Sequence, residues 1–203
     1  MRLRNFVLNL AAAVLVAPCV YAQSAQPTAE KPLEISTFGG LNGTYTGLSG
    51  GRNLGITAGV DVGIRSFRGF RPFLEGRGTY PIHGGTIDRQ KNALGGVRVE
   101  RQLRPSLRVY GDFLVGRGQI DYERGGYPSP DRKYLILSST SDVYSPGGGA
   151  EYRLTEHVSG LLDVQLQRYD TPATVSGTLW SRAIAVGARY RFNFNRRGYA
   201  AAP

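Results

Sequence analysis

The stretch LGITAGVDVGIR, residues 54–65, decides how this chain folds. Its even-numbered positions are all apolar, and its odd-numbered positions hold glycine, threonine or a charged residue. Because successive side chains of a β-strand point to opposite faces, this order predicts a strand with one apolar face and one polar face. A face built only from glycine and polar residues is unusual beside a globular core, so the stretch already favours a different kind of β-protein.

The same alternation recurs along the chain and gives about eight segments of similar length. The other segments are 35–45, 74–80, 97–100, 107–115, 144–154, 158–166 and 184–194. A tilted strand needs about 9–11 residues to cross a bilayer, and most of these segments approach that length. No amphipathic helical pattern of useful length follows residue 23. The chain is therefore predicted to be all-β.

The connections between these segments alternate between short and long. Short turns are predicted at 66–70, 102–106 and 155–157, and longer polar loops at 48–53, 81–90, 121–140 and 170–178. This alternation is typical of an eight-stranded antiparallel up-and-down transmembrane β-barrel, with tight periplasmic turns and longer outer loops. The barrel is expected to span 33–194, with a flexible lead-in at 23–32 and a short C-terminal tail at 195–203.

The charged residues indicate which face of the strands lies inside. A soluble barrel would place the apolar face inside and would need bulky residues there, but that face includes Gly39, Gly95, Gly111 and Gly160. In a membrane barrel, acids and bases in near-equal number pair inside the narrow lumen. The expected lumen charge network comprises Asp61, Arg65, Glu75, Arg77, Arg98, Glu100, Arg108, Asp112, Glu151, Arg153, Asp163, Arg189 and Arg191.

The N-terminus has the features of an export signal, predicted to span 1–22. Arg2 and Arg4 precede the mostly apolar run 6–16, and small or tolerated residues at 20–22 place cleavage before Gln23. The alternative of a membrane anchor is disfavoured, because a spanning helix needs roughly 20 apolar residues.

The only cysteine, Cys19, lies within this export signal. A lipoprotein alternative would make Cys19 the lipidated residue, but Pro18 fits such a site poorly. The mature chain would then contain no cysteine, which excludes disulfides, thiolate metal ligands and a cysteine nucleophile. No metal site and no cofactor are predicted.

The net charge of the chain is +10, from 25 lysines and arginines against 15 acids. Arg2 and Arg4 contribute two of these charges, which leaves +8 after cleavage. Such a balance favours nucleic acid or an anionic membrane surface as a partner. The basic residues are scattered and the chain is exported, so nucleic acid is not expected. Outer-membrane lipid and lipopolysaccharide are the predicted neighbours.

The last predicted strand places Tyr190 and Phe192 three and five positions after Gly187. This spacing resembles the C-terminal insertion signal by which the barrel-assembly machinery recognises outer-membrane barrels. Ala185 stands where that signal usually has a polar residue, and residues 193–203 follow the aromatic position. An ordinary aromatic girdle at the strand end would give the same residues, and both interpretations can hold together.

Two glycine-containing stretches, 109–116 and 145–155, resemble strands of the transmembrane domain of the OmpA family. The resemblance extends over about 33–194 and rests on pattern more than on a unique motif. It implies an outer-membrane barrel of the OmpA and OmpX type with a structural or surface-interaction role. It leaves no room for the peptidoglycan-binding domain that many members of that family carry.

Catalysis is not predicted, and no catalytic residue is assigned. His157 and Ser159 have the His-x-Ser spacing of lipid A deacylase barrels, but they fall at a predicted periplasmic turn instead of the outer rim. The glycines at 147–149 lack the Lys-Ser/Thr of a phosphate-binding loop. A lipid A-modifying enzyme therefore stays only as the weaker alternative, and a small pore is the stronger one.

The loop at 121–140 combines tyrosines and prolines with basic residues, which suits a contact surface for a ligand at the cell surface. The same composition is also found in variable outer loops that have no partner.

We expect the mature protein isolated from bacterial envelopes to begin at Gln23. Intact-mass measurement checks this directly, since loss of 1–22 also removes the only cysteine. An unprocessed N-terminus, or a lipid adduct on Cys19, would contradict the export signal as assigned.

Overall fold

The computed structural model describes residues 34–48, 50–64, 66–83, 87–123 and 125–193. The predicted signal peptide, lead-in, tail and Arg65 lie outside these residues. Within them the elements are β1 (Glu34–Tyr45), β2 (Arg52–Gly63), β3 (Phe70–His83), β4 (Asp88–Gln102), β5 (Leu107–Tyr122), β6 (Tyr127–Pro128), β7 (Leu135–Ile136), β8 (Ser138–Arg153), β9 (Val158–Asp170) and β10 (Thr178–Asn193).

Eight of these strands close into one antiparallel barrel in the order β1-β10-β9-β8-β5-β4-β3-β2. Each strand pairs with its neighbour along the chain, and β1 closes the barrel against β10. Strands β6 and β7 form a separate two-stranded sheet in the connection between β5 and β8. The predicted eight-stranded up-and-down fold is therefore confirmed. Closure pairs the backbone groups of every long strand, which hydrocarbon surroundings require.

Among the described residues, no helix is long and apolar enough to cross a membrane.

The two ends of the barrel differ chiefly in the connections after β5 and β9, which are the longest. The end that holds Glu34 and Asn193 carries only the short turns after β2, β4 and β8, and we call it the terminal rim. The opposite end carries the connections after β1, β3, β5 and β9, and we call it the loop rim. The connections after β5 and β9, at 123–137 and 171–177, are longer than the turns of the terminal rim, as predicted. Those after β1 and β3, at 46–51 and 84–87, are no longer than these turns, because β3 and β4 extend into the loop predicted at 81–90.

Polarity is inverted relative to a soluble barrel. Along β2, Ile56 and Val60 are each 46% exposed on the outer face, whereas Thr57 is 4% exposed and Asp61 is fully buried toward the lumen. The same order repeats around the wall, where the buried polar side chains include Ser36, Glu75, Arg98, Asp112, Glu151, Asp163 and Arg189. An apolar outer surface with a polar lumen is the arrangement expected of a barrel that sits in lipid.

Exposed aromatic residues collect near both rims, with apolar aliphatic residues between them. Tyr45, Tyr80, Tyr144 and Trp180 lie toward the loop rim, and Phe70, Tyr152, Tyr190 and Phe192 lie toward the terminal rim. Such girdles mark the membrane–water interfaces of transmembrane barrels. The apolar band between them is the surface that contacts hydrocarbon.

The closing seam between β1 and β10 requires glycine at Gly40. A Cβ atom at this position would collide with the backbone of Val186 and Gly187 on β10. The adjacent Gly39 points outward, and a Cβ there would have the Thr57 carbonyl oxygen at 3.8 Å as its nearest neighbour. The two glycines are thus a matched pair, one essential for close approach and one not.

We expect Gly40→Ala to lower the free energy of unfolding by about 1–3 kcal/mol, because the seam must shift to admit the methyl group. Gly39→Ala should be neutral or slightly stabilising, since alanine restricts the unfolded chain. Urea unfolding of both variants in the same detergent measures the difference, and equal effects would show that the seam tolerates a side chain.

Candidate functional site

The lumen nearest the terminal rim is filled by three arginines that share a set of carboxylates, which we call the terminal cluster. Glu151 Oε1 forms an ion pair with Arg189, 2.8 Å from its Nε, and Glu151 Oε2 accepts a hydrogen bond from Arg191 Nη2 at 2.5 Å. Glu151 also pairs with Arg98. The remaining acids are Asp61, which pairs with Arg98 and Arg189, and Glu100, which pairs with Arg98 and Arg191. These seven contacts join side chains of β2, β4, β8 and β10, so the cluster braces the wall from within.

The middle of the lumen holds a second group, the Arg77 cluster, in which one arginine meets three acids. Arg77 lies 2.7 Å from Glu75, 2.6 Å from Asp163 and 3.7 Å from Asp112. Arg77 and Asp163 lie on β3 and β9, which are not neighbours in the sheet, so this pair spans the bore. The Arg77 side chain is 3% exposed, so these carboxylates and not water compensate its charge.

Neutral residues complete the Arg77 cluster by donating to its acids. Tyr110 Oη donates to Asp163 Oδ2 at 2.6 Å, and Gln165 Nε2 donates to both oxygens of Asp112 at 3.0 Å. These donors stabilise the negative charges of Asp163 and Asp112, which Arg77 alone does not balance. Buried carboxylates are costly unless they are paired and hydrogen-bonded, so the neutral donors are part of the site.

Aromatic rings connect the two clusters. The Phe38 ring centroid lies 5.2 Å from Cζ of Arg77 and 4.8 Å from Cζ of Arg189. The Tyr110 ring centroid lies 3.8 Å from Cζ of Arg98. Cations over ring faces are attracted by the ring quadrupole, so these rings stabilise the arginines while filling the space between the two groups.

The structure brings together most, but not all, of the charged residues expected in the lumen. Arg108 is half-buried and reaches Glu100 at 3.3 Å. Arg153 was expected in the network but is exposed at the last residue of β8, where the wall ends at a turn. That expectation was wrong. Strand alternation tells which face of the strand a side chain is on, but it does not tell where the barrel wall ends and the side chain meets solvent. Arg65 lies outside the described residues.

The alternation placed Tyr110 and Gln165 on the polar faces of their strands, but neither they nor Phe38 were included in the predicted network, because they carry no charge. Their position on the lumen-facing side of their strands was the available signal.

The lumen near the loop rim contains a packed apolar cluster beside buried polar side chains such as Asp88, Gln90 and Asn92, and the polar-inside rule did not predict the apolar part. The apolar side chains, which we call the loop-rim plug, are Leu48, Leu94, Leu114, Ile120, Tyr122, Ile136, Val143, Tyr169, Ala173 and Leu179. Leu48, Ile136 and Ala173 come from three different loop-rim connections, so these connections fold over the opening. The lumen is therefore filled by ion pairs at one end and by a mixture of packed apolar and hydrogen-bonded polar side chains at the other.

The longest loop-rim connection is structured by its own residues. Ser129 Oγ donates to Asp131 Oδ1 at 2.5 Å, and this hydrogen bond lowers the pKa of Asp131. Beyond this turn the side chains of Tyr134, Leu135 and Leu137 are exposed. The connection therefore presents an ordered apolar and aromatic surface at the loop rim.

The residues weighed for catalysis face different directions. His157 stacks on Tyr190, with ring centroids 5.9 Å apart, and Tyr190 lies on the outer surface. Ser159 is buried on the lumen side of β9. A nucleophile and its base must come within hydrogen-bond reach, and these two side chains diverge. In the described part of the chain, no group of three or more histidines, cysteines or acids could hold a metal ion.

Two of the proposed insertion-signal residues form an outward aromatic pair. The rings of Tyr190 and Phe192 meet edge to face, with centroids 4.9 Å apart. Gly187 lies deeper in the same strand, against the backbone of Gly39 and Gly40. The pair belongs to the aromatic girdle at the terminal rim.

No protein-family model matches the sequence, and no curated protein matches it significantly. Solved structures do resemble it. Neisserial surface protein A has a TM-score of 0.50 at 13% identity, covering 79% of this chain and 97% of that protein. Ail, the attachment invasion locus protein of Yersinia pestis, has a TM-score of 0.49 at 11% identity, covering 80% and 99%. OprG from Pseudomonas aeruginosa has a TM-score of 0.44 at 12% identity, covering 80% and 97%.

The chain thus has the fold of the small eight-stranded outer-membrane β-barrels. This likeness concerns the fold, and the filled lumen described above is a property of this chain's own residues.

We expect Arg77→Gln to lower the free energy of unfolding by about 3 kcal/mol, because it leaves buried carboxylates without their cation. The matched control is Arg117→Gln, since Arg117 pairs with Asp142 on the exposed outer surface at 3.6 Å. The control should lose less than about 1 kcal/mol. Urea unfolding followed by the fluorescence of Trp180, the only tryptophan, measures both.

Adding Asp163→Asn to Arg77→Gln should recover part of the loss, because one uncompensated charge is removed with its partner. Equal effects of Arg77→Gln and Arg117→Gln would contradict a bracing role for the Arg77 cluster.

Proposed function

We propose that this protein is an integral outer-membrane barrel with a structural or surface-interaction role, closed to solutes and without catalysis. The observation that carries the proposal is the filled lumen, with paired charges toward the terminal rim and the loop-rim plug at the other end. Eight strands enclose a bore that side chains can fill, and here they do. The loop rim is then the part of the molecule left for contact with other molecules.

The apolar outer band, the girdles and the expected export signal at 1–22 together support an outer-membrane location. Cleavage after Ala22 would release the mature chain into the periplasm. Tyr190 and Phe192, with Gly187, would present the insertion signal to the barrel-assembly machinery. Lipopolysaccharide would be the natural neighbour of a basic chain in the outer leaflet.

The loop rim is assigned to the cell surface and the terminal rim to the periplasm. Short periplasmic turns and longer outer loops are the rule for barrels inserted from the periplasmic side. The exposed side chains of Tyr134, Leu135 and Leu137 would then form a contact surface for a ligand outside the cell.

A conducting pore would require both fillings of the lumen to move. Opening the terminal cluster would separate buried ions, and opening the loop-rim plug would expose packed apolar side chains to water. We therefore expect no conductance from the purified protein in planar bilayers across a voltage range. Stable single-channel conductance steps would contradict the closed barrel and favour the small pore.

The location is tested by cell fractionation together with heat-modifiability on gels. The protein should leave the cell with the outer membrane and should migrate differently before and after boiling, because a closed barrel resists detergent until heated. Recovery in the soluble periplasm, or migration that boiling leaves unchanged, would reject the proposal.

The orientation is tested by labelling lysines on intact cells with a reagent that does not cross membranes. The chain's lysines are Lys31, Lys91 and Lys133, and Lys133 lies exposed in the longest loop-rim connection. We expect labelling to fall sharply in Lys133→Arg and to persist in Lys31→Arg. Labelling that is undiminished in Lys133→Arg would contradict the assigned orientation.

A further inference from the structure

We propose that Arg52 and Arg182, with Tyr45 between them, bind the phosphorylated headgroup of lipid A on the outer surface of the barrel. This inference rests on the proposed outer-membrane location and orientation. It assigns the lipopolysaccharide contact to one wall, formed by β10, β1 and β2, instead of to the basic chain as a whole.

The strand register places the three side chains in a row. Tyr45 of β1 is paired with Arg182 of β10 on one side and with Arg52 of β2 on the other. Residues directly opposite each other in a sheet share a face, and all three side chains are exposed on the outer surface. Neighbouring strands lie about 4.8 Å apart, so the two arginine positions are separated by about 10 Å with an aromatic ring between them.

The charge of this row is unbalanced, unlike that of four other outward cations toward the loop rim on β4, β5 and β9. Each of these has an acid: Arg89–Glu123 at 2.5 Å, Lys91–Asp121 at 3.1 Å, Arg117–Asp142 at 3.6 Å and Arg168–Asp170 at 3.4 Å. Within the described residues, Arg52 and Arg182 form no ion pair with an acid. Two unneutralised guanidinium groups on one face attract an anion, and their planar forks match phosphate oxygens.

The row lies where a lipid headgroup would lie. Tyr45 belongs with Trp180 to the girdle toward the loop rim, which marks the membrane interface on that side. A phosphate at this depth would remain in the polar layer while its acyl chains extend along the barrel wall. The site therefore suits an anionic amphiphile better than a free anion.

A notch below the row gives an acyl chain a place to pack. On the same outer face of β1, Gly43 lies one step toward the membrane centre from Tyr45 and pairs with Ile184 and Leu54. A Cβ atom at Gly43 would have the Ile184 carbonyl oxygen at 3.9 Å as its nearest neighbour, so the position is open. The exposed side chains of Ile184 and Leu54 form the apolar walls of this notch.

The experiment compares the intact barrel with Arg52→Gln/Arg182→Gln in phosphatidylcholine nanodiscs that contain bisphosphorylated lipid A. Native mass spectrometry of the released protein counts the bound lipid. The matched control is Arg68→Gln/Arg104→Gln, which removes the same charge from exposed arginines at the terminal rim. We expect roughly a tenfold or greater loss of lipid A binding in the first variant, since each basic side chain near a membrane surface adds to anionic-lipid affinity, and little change in the control.

Further arms identify the ligand chemistry. Dephosphorylated lipid A should bind the intact barrel as weakly as phosphorylated lipid A binds the double variant. Millimolar inorganic phosphate should not displace lipid A, because it lacks acyl chains. Gly43→Leu, which fills the notch but keeps both arginines, should also weaken binding.

Several results would overturn the inference. These are unchanged binding by Arg52→Gln/Arg182→Gln, equal binding of dephosphorylated lipid A, full displacement by inorganic phosphate, or equal losses in the control variant. Unchanged binding by Gly43→Leu would overturn the acyl contact. The double variant should still fractionate with the outer membrane and remain heat-modifiable, so failure of this site is distinguishable from failure of the proposed function.

Discussion

The pairing of arginines with carboxylates across the bore is the interaction on which this barrel depends. In lipid, a closed sheet satisfies the hydrogen-bonding groups of the backbone without help from side chains, because every long strand pairs on both edges. The side chains that the sheet encloses are a separate problem, since a buried charge without a partner is costly. Contacts such as Arg77–Asp163, which spans the barrel at 2.6 Å, resolve it and fix the distance between opposite walls.

The pairing of charges inside the lumen determines which side chains the outer surface can carry. With arginines and carboxylates paired inside, the outward side chains are free to be apolar, and they form a continuous band between two aromatic girdles. The loop-rim plug packs inside the bore where the ion pairs end. Specific contacts are then left to the surface connections and to outward cations such as Arg52 and Arg182.

Much of the fold could be predicted from period-two alternation, because burial on one face leaves a direct mark on strand sequence. The residues Asp61 and Glu75 were assigned to the lumen side by that rule, and the structure places both there. Their partners could not be predicted, because Arg77 meets Asp163 on a strand far away in sequence and the strand register decides the contact. Leu114 and Tyr169 also occupy lumen-facing positions, and the alternation of polarity did not predict them, because an apolar residue on the polar face breaks the pattern.

The inverted polarity is tested most directly by nitroxide labels at single cysteines along β2 in lipid bilayers. Cys19 is the only native cysteine, so the mature chain provides a clean background. Collision rates with oxygen, which concentrates in hydrocarbon, should alternate from residue 54 to residue 62, high at Leu54, Ile56 and Val60 and low at Thr57 and Asp61. Rates that do not alternate, or that are high at Thr57 and low at Ile56, would contradict a barrel with lipid outside and paired charges inside.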